Sequence, residues 1–173
     1  LSYKGKPTDA QKFLRITELH YHPKLSTSEE IIAGFLNKNE FEYVELRNIG
    51  QKHINLNGVK FTGGFEFAFP PNLTLKPGAF TLVVSNMEAF EARYGKNLSV
   101  AGSYNGQLSN SGEAISLIDI YGNLVLGFSY HDNWFTATDG RGYSMVARNE
   151  KADWKAWNHA SNWGISAENG GNP

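Results

Sequence analysis

Three glutamates and an arginine lie within the stretch "EFEYVELRNIG", residues 40–50. Paired carboxylates are what acid–base hydrolysis needs, one protonated and one ionised. The spacing argues against that use. Successive side chains of a strand point to opposite faces, so Glu42 and Glu45, three apart, face opposite sides. Glu40 sits only at the strand's entrance. The same alternation sends Val44 and Leu46 to a core and leaves Tyr43, Glu45 and Arg47 as an outward row. An exposed Glu45–Arg47 pair would contribute little. These carboxylates read as the trim of a strand, and Asn48, before Ile49-Gly50, as a turn former.

The histidines offer a second candidate. In "FLRITELHYHP" (13–23), Glu18 shares a strand face with Ile16 and is expected to be partly buried. A buried carboxylate must find donors, backbone amides or an arginine, or its pKa rises. Glu18, His20 and His22 are weak candidates for a metal set, because residues two apart on a strand can chelate. Pro23 ends the strand there and no further ligand is evident, so neither metal nor cofactor is expected. Asp132, Asn133 and Asp139 could offer oxygens to a structural calcium ion, but their spacing matches no known loop. The Asp/His content of "YHDNW" (130–134) with Asp139 raises a catalytic triad. Ser129 and Ser144 lack a Gly-x-Ser-x-Gly frame, which leaves a hydrolase as a remote reading. No phosphate-binding glycine motif is present.

The tryptophans Trp134, Trp154, Trp157 and Trp163 all fall in the last third of the chain. Exposed indoles stack on sugars, so a carbohydrate-binding module is one reading. The other is that they pack this irregular segment over an open end of the fold. Trp154 and Trp157, three apart, fit one face of a helical turn.

The elements that must position these groups are mostly strands. Runs at 13–21, 41–49, 54–62, 65–69 and 80–85, and a hairpin of Ala114–Ile120 with Leu124–Tyr130, are separated by turn signals. The run 54–62 is expected to bulge at Asn57-Gly58. The hairpin connection is Tyr121-Gly122-Asn123. A short strand is expected near Tyr143–Ala147. "NMEAFEARYG" (86–95) is the one clear helix, with Asn86 as cap and Met87, Phe90 and Tyr94 as its packing stripe. A helical turn near Ile31-Ile32, capped by Ser28, interrupts a long polar loop. Residues 1–12 read as a polar, loop-like extension and 13–173 as one domain. That pattern makes an all-β sandwich.

The totals set limits. The chain has 173 residues, 40% hydrophobic and 13% aromatic, with 18 glycines and a formal net charge of −1. Near-neutral charge and scattered basic residues leave no electrostatic footprint for nucleic acid or anionic membrane. No apolar run approaches the roughly 20 residues of a membrane-spanning helix. There is no cysteine, which excludes disulfides and thiolate chemistry. A chain opening on Leu1 and closing on "GGNP" is expected to be a fragment or a processed form.

The order of motifs carries a resemblance. "LRITELHYHP", "EYVELRNIG", "INLNGVKF", "LKPGAFTLVV" and "LSNSGEAISLIDIYGNLV" follow one another as they do in lamin tail domains. "YHDNWFTATDGRGYSM" and "SNWGISAENGGNP" look like the bacterial members. The resemblance covers about residues 13–172, although Val59 stands where an aromatic residue is common and Phe135 where proline is. It implies an immunoglobulin-like β-sandwich with one short helix and a non-catalytic structural or interaction role. It also implies a place in a larger bacterial exported or cell-surface protein, beside other domains or a protein or glycan partner.

Overall fold

In the computed structural model, which describes residues 6–173, the phase switch in "LRITELH" is a β-bulge. Strand β1 (Leu14–His20) pairs antiparallel with β2 (Tyr43–Asn48), and the register slips between Ile16 and Glu18. The extra residue, Thr17, turns the second half of the strand over. Leu14, Ile16 and Leu19 are therefore all buried in one core, with Tyr21 just beyond. Glu18 does not share a face with Ile16, as simple alternation predicts. It points with His20 to the other side of the sheet, beside Tyr43 and Glu45.

The remaining elements follow in chain order. Helix α1 (Asp9–Phe13) precedes β1, and α2 (Ser28–Ile32) lies in the loop after it. Beyond β2 come β3 (Ile54–Asn55), β4 (Lys60–Thr62), β5 (Phe65–Ala68), β6 (Thr74–Leu75) and β7 (Phe80–Val84). Helix α3 (Met87–Tyr94) leads to β8 (Val100–Ser103) and β9 (Asn105–Gly106). The hairpin is β10 (Ala114–Ile118) and β11 (Leu124–Ser129), and the chain closes with β12 (Met145–Ala147) and β13 (Trp163–Ile165). A six-stranded sheet runs β13-β12-β1-β2-β7-β8, and a five-stranded sheet runs β11-β10-β4-β5-β9. Strands β3 and β6 form a small third sheet. The two large sheets enclose a core of aliphatic and aromatic side chains, among them Phe61, Phe65, Leu117 and Phe128. This is the all-β sandwich expected of the sequence.

Several local readings are corrected. Residues 9–13 are not loop: Thr8 and Gln11 form a capping box, Ala10 enters the core, and Gln11 Nε2 donates to the Leu124 carbonyl. Residues 1–5 of the expected extension lie outside the described residues. The turn at Ile31-Ile32 is capped by Thr27, one residue before Ser28, because Glu30 at N3 reaches back to the Thr27 N–H. "INLNGVKFT" is not one bulged strand. It breaks at a turn where Gly58 has φ +74°, so β3 and β4 join different sheets. The hairpin loop is longer than three residues, because Asp119 Oδ1 accepts from the backbone N–H groups of both Tyr121 and Asn123.

Helix α3 follows the sequence pattern. Asn86 Oδ1 accepts from the N–H groups of Glu88 and Ala89, and Gly95 ends it. Its apolar stripe does not enter the main core. Phe90, with Met87 and Tyr94, packs on Tyr43, Leu82 and Val84 on the outer face of the six-stranded sheet.

Candidate functional site

That outer face gathers most of the titratable candidates. The bulge sets Glu18 directly opposite Glu45, and His20 opposite Tyr43, across the β1–β2 ladder. The expected outward row Tyr43, Glu45, Arg47 is largely covered: Tyr43 is fully buried, Glu45 is 8% exposed and Arg47 is half-buried. Phe90 and Tyr94 meet the Tyr43 ring edge-on at 5.8 and 5.5 Å. Burial, and then the neighbouring Glu18, push the Tyr43 hydroxyl well above its usual pKa.

Glu18 finds donors, but not from arginine. Its Oε1 accepts from Tyr43 Oη at 2.5 Å, from the Asn172 N–H at 2.8 Å, and from Ser144 Oγ. The C-terminal segment thus lies across the end of this cluster. Gly171 takes φ +89°, and a Cβ there would overlap Tyr43 Oη and stand 2.9 Å from His20 Nδ1. Only glycine fits both the backbone and the space. His20 is 1% exposed and neither ring nitrogen has a hydrogen-bond partner. Burial first, and the charges of Arg93, His22 and Lys24 after it, lower its pKa to about 3.

Beside this cluster a groove of about 410 Å³ opens along the sheet, lined by Thr17, Glu45, Leu82, Leu98, Val146 and Glu150, among others. Thr17 Oγ1 donates to Glu45 Oε1 at 2.6 Å. Burial, and then the charges of Glu18 and Glu150, push the Glu45 carboxyl up to about 7. Arg47 turns away from Glu45 and pairs with Glu150 at 2.9 Å. A cavity of about 620 Å³ lies elsewhere, between α1 and the Ile49–Lys52 turn.

The other candidates are dispersed. Glu40 bonds the Asn37 N–H and Asn86 Nδ2, so it caps a 3-10 turn (Lys38–Phe41) and ties it to α3. Glu42 is fully buried on the opposite side from Glu45, accepting from Tyr104 Oη and the Leu108 N–H, each at 2.8 Å. His22 lies past the end of β1, where its ring bonds Asp139 Oδ1 at 2.6 Å and meets Lys38 Nζ. The set Glu18, His20, His22 is therefore split, and among the described residues no group of three or more His, Asp or Glu side chains could hold a metal ion. Ser144 serves Glu18 rather than a histidine. Trp157 and Trp163 are fully buried, donating to the carbonyls of Ile16 and Trp157 at 2.9 Å. Trp134 is half-buried against the core, and Trp154 is 41% exposed.

The lamin tail domain family model matches residues 7–132 of this chain. The chain belongs to the lamin tail domain family. Its members are non-catalytic, immunoglobulin-like interaction domains. No curated protein matches the sequence. The family match ends before β12 and β13, yet both strands complete the edge of the six-stranded sheet beside β1. In this lamin tail domain the segment after residue 132 is structurally part of the sandwich and supplies Ser144 and Asn172 to the Glu18 cluster.

Sequence reasoning missed Gly171 and Asn172, and raised Ser144 only as a nucleophile candidate, not as a donor to Glu18. The only sequence signal was the glycine pair in "NGGNP", which marks a backbone that must approach another group closely. Nothing in the sequence linked it to a cluster over 120 residues away.

Proposed function

We propose that this chain is a non-catalytic interaction module that binds a protein partner within a larger bacterial exported or cell-surface protein. It works outside the cell, without a cofactor. One observation carries the reading: the carboxylates and the serine hydroxyl of the outer face are engaged in holding the fold. Glu18 bonds two hydroxyls and a backbone amide, Glu45 bonds Thr17, and Ser144 donates to Glu18 instead of facing a base. Acyl or glycosyl transfer needs a nucleophile and a base converging on open space, an arrangement these bonds oppose. The glycan alternative draws on Trp154 alone among the strongly exposed indoles, with Lys155 Nζ 5.9 Å from its ring.

The test is saturable binding of the immobilised chain to isolated bacterial envelope fractions. Binding abolished by protease treatment of the fraction, and indifferent to periodate, is the expected result. Periodate-sensitive binding that disappears in Trp154→Ala would replace the protein partner with a glycan. Turnover of ester, amide or glycoside substrates, lost in Glu18→Gln, would overturn the non-catalytic reading.

A further inference from the structure

Buried polar atoms without partners are rare in a folded protein, and each calls for a reason. Two of them, the ring nitrogens of His20, lie on the outer face. Gly171 is seated against His20 Nδ1, and Gly170 against the edge of the Tyr94 ring. Gly170 N–H donates to the Gly142 carbonyl at 2.5 Å, and Asn172 N–H donates to Glu18 Oε1 at 2.8 Å and to Tyr43 Oη at 3.1 Å. Residues 170–172 are held by backbone donors and by the absence of a side chain at Gly171, and Asn169 before them accepts from Lys24 Nζ and donates to the Arg141 carbonyl. Between this segment and β13, the residues Ala167, Glu168 and Asn169 are exposed. A cavity of about 380 Å³ opens beside the tail, lined by Arg93, Tyr94, Leu98 and residues 168–173. The arrangement is that of a peptide in a receptacle: a carboxylate that takes a backbone N–H, a floor of ring edges, and a steric filter for glycine.

We propose that the Glu18–His20–Tyr43–Ser144 receptacle is a peptide-binding site for a Gly-Gly-Asn segment, filled in cis by the chain's own residues 170–172 and exchangeable with the same segment of a second copy. The contacts in the exchanged dimer are the same as in the monomer. The difference is the tether, which acts as a local concentration on the order of millimolar for a short linker. Exchange of an identical element is a low-cost route to association for that reason. This goes beyond the interaction reading by naming a place and an occupant. Its failure would leave the envelope-binding test of that reading untouched.

The probe is a fluorescein-labelled peptide of residues 166–173, "SAENGGNP". It is titrated into the full chain carrying Gly171→Val, whose own tail cannot seat. Saturable anisotropy is expected, at least about tenfold tighter than for the same peptide with valine at the Gly171 position. The wild-type chain, already filled, is expected to bind the probe at least about tenfold more weakly than the variant. Should circular dichroism show Gly171→Val unfolded, Asn172→Pro removes the N–H that Glu18 accepts without adding bulk at Gly171. Equal affinity for the two peptides, or no saturation by a folded variant, overturns the receptacle. Sedimentation decides the occupant. Dimer that grows as wild-type chain approaches millimolar concentration, and is absent in Gly171→Val, is expected; a wild-type chain monomeric throughout overturns exchange between copies.

Discussion

Glu18 and Glu45 stand directly opposite each other across the β1–β2 ladder, on one face, and neither forms an ion pair among the described residues. Like charges in that position repel. Glu18 has three donors, while burial first, and then the charges of Glu18 and Glu150, push the Glu45 carboxyl up to about 7. A folded pKa above the unfolded value means the native state keeps a proton that the unfolded chain has released. Stability therefore falls as pH rises from about 4.5 to 7 and levels off above. Glu45→Gln keeps an acceptor for Thr17 and removes the titration. Urea melts across that window should show wild type losing up to about 3 kcal/mol relative to the variant, at 1.36 kcal/mol per pKa unit. Parallel curves for the two proteins would refute this account.

Glu42 makes the same argument inside the sandwich. Burial, opposed by the Leu108 and Tyr104 bonds, pushes its carboxyl up to about 8. It is neutral at pH 7, and its unpartnered Oε1 is the natural place for the proton. Glu42→Gln should match wild type below about pH 4.5 and surpass it increasingly as pH rises to about 8, levelling off above. Glu42→Ala strands the Leu108 N–H and Tyr104 Oη, each costing about 1–3 kcal/mol when buried without a partner. Chemical denaturation at pH 7 separates them: Ala well below Gln. Equal stability of the two variants would mean the carboxyl bonds contribute nothing.

The fold was legible because alternation and turn signals are local. Asn86 and Gly95 bracket α3 as read, and Val44 and Leu46 point inward as read. The site was not, for two physical reasons. A single bulged residue, Thr17, reverses the facing of everything after it, so Glu18 and His20 could be placed only from a register that sequence does not print. An outer sheet face also looks like solvent surface until something covers it. Here α3 and the tail do, and Tyr43, read as outward, became one of the most buried phenols. The indoles show the same limit. Their type announced packing or sugar stacking, and only the fold separates Trp157 and Trp163, sealed inside, from Trp154 at the surface.

That contrast sets a mutational test. Trp157 Nε1 donates to the Ile16 carbonyl, at the bulge itself, and Arg15 lies 5.8 Å from the indole centroid. Trp157→Ala should cost on the order of 3–5 kcal/mol, as truncation of a buried aromatic does. Trp154→Ala should change stability by less than about 0.5 kcal/mol, as surface substitutions do. Thermal melts of both variants check it. A Trp154→Ala loss approaching that of Trp157→Ala would contradict the placement of these side chains.

Arg93 on α3 holds the long loop. It makes two bonds to Glu30, at 2.8 and 2.7 Å, and its guanidinium lies 3.3 Å from the Phe41 ring centroid. The Arg93 bonds hold the Glu30 carboxyl below the usual range. A depressed carboxyl stabilises the fold above its unfolded pKa and loses that contribution as pH falls through the folded one. Arg93→Ala leaves Glu30 in its site with the Thr27 N–H but no counter-charge bonded to it, and should cost up to about 3–5 kcal/mol at pH 7. The cost should shrink as pH falls through the depressed folded pKa, below which Glu30 is protonated in both states. Arg93→Lys cannot reproduce the planar fork and should fall between. A pH-independent loss in Arg93→Ala would assign its role to packing on Phe41 alone.

His20 governs the acid side. Its lowered pKa of about 3 means the folded chain keeps the ring neutral while the unfolded chain protonates it near 6.5. Stability from this group is whole above pH 6.5 and is lost as pH falls from 6.5 towards 3. Neither ring nitrogen has a partner, so removing both leaves no stranded donor or acceptor. His20→Leu should therefore equal or exceed wild type at pH 7, and its advantage should widen steadily down to pH 4. The tail gives a local readout of the same event, because Gly171 lies against His20 Nδ1. Hydrogen exchange at the Asn172 amide should accelerate in wild type as pH falls, relative to the intrinsic rate, and should stay flat in His20→Leu. An Asn172 protection factor with the same pH dependence in both proteins would show that His20 does not control the seating of the tail.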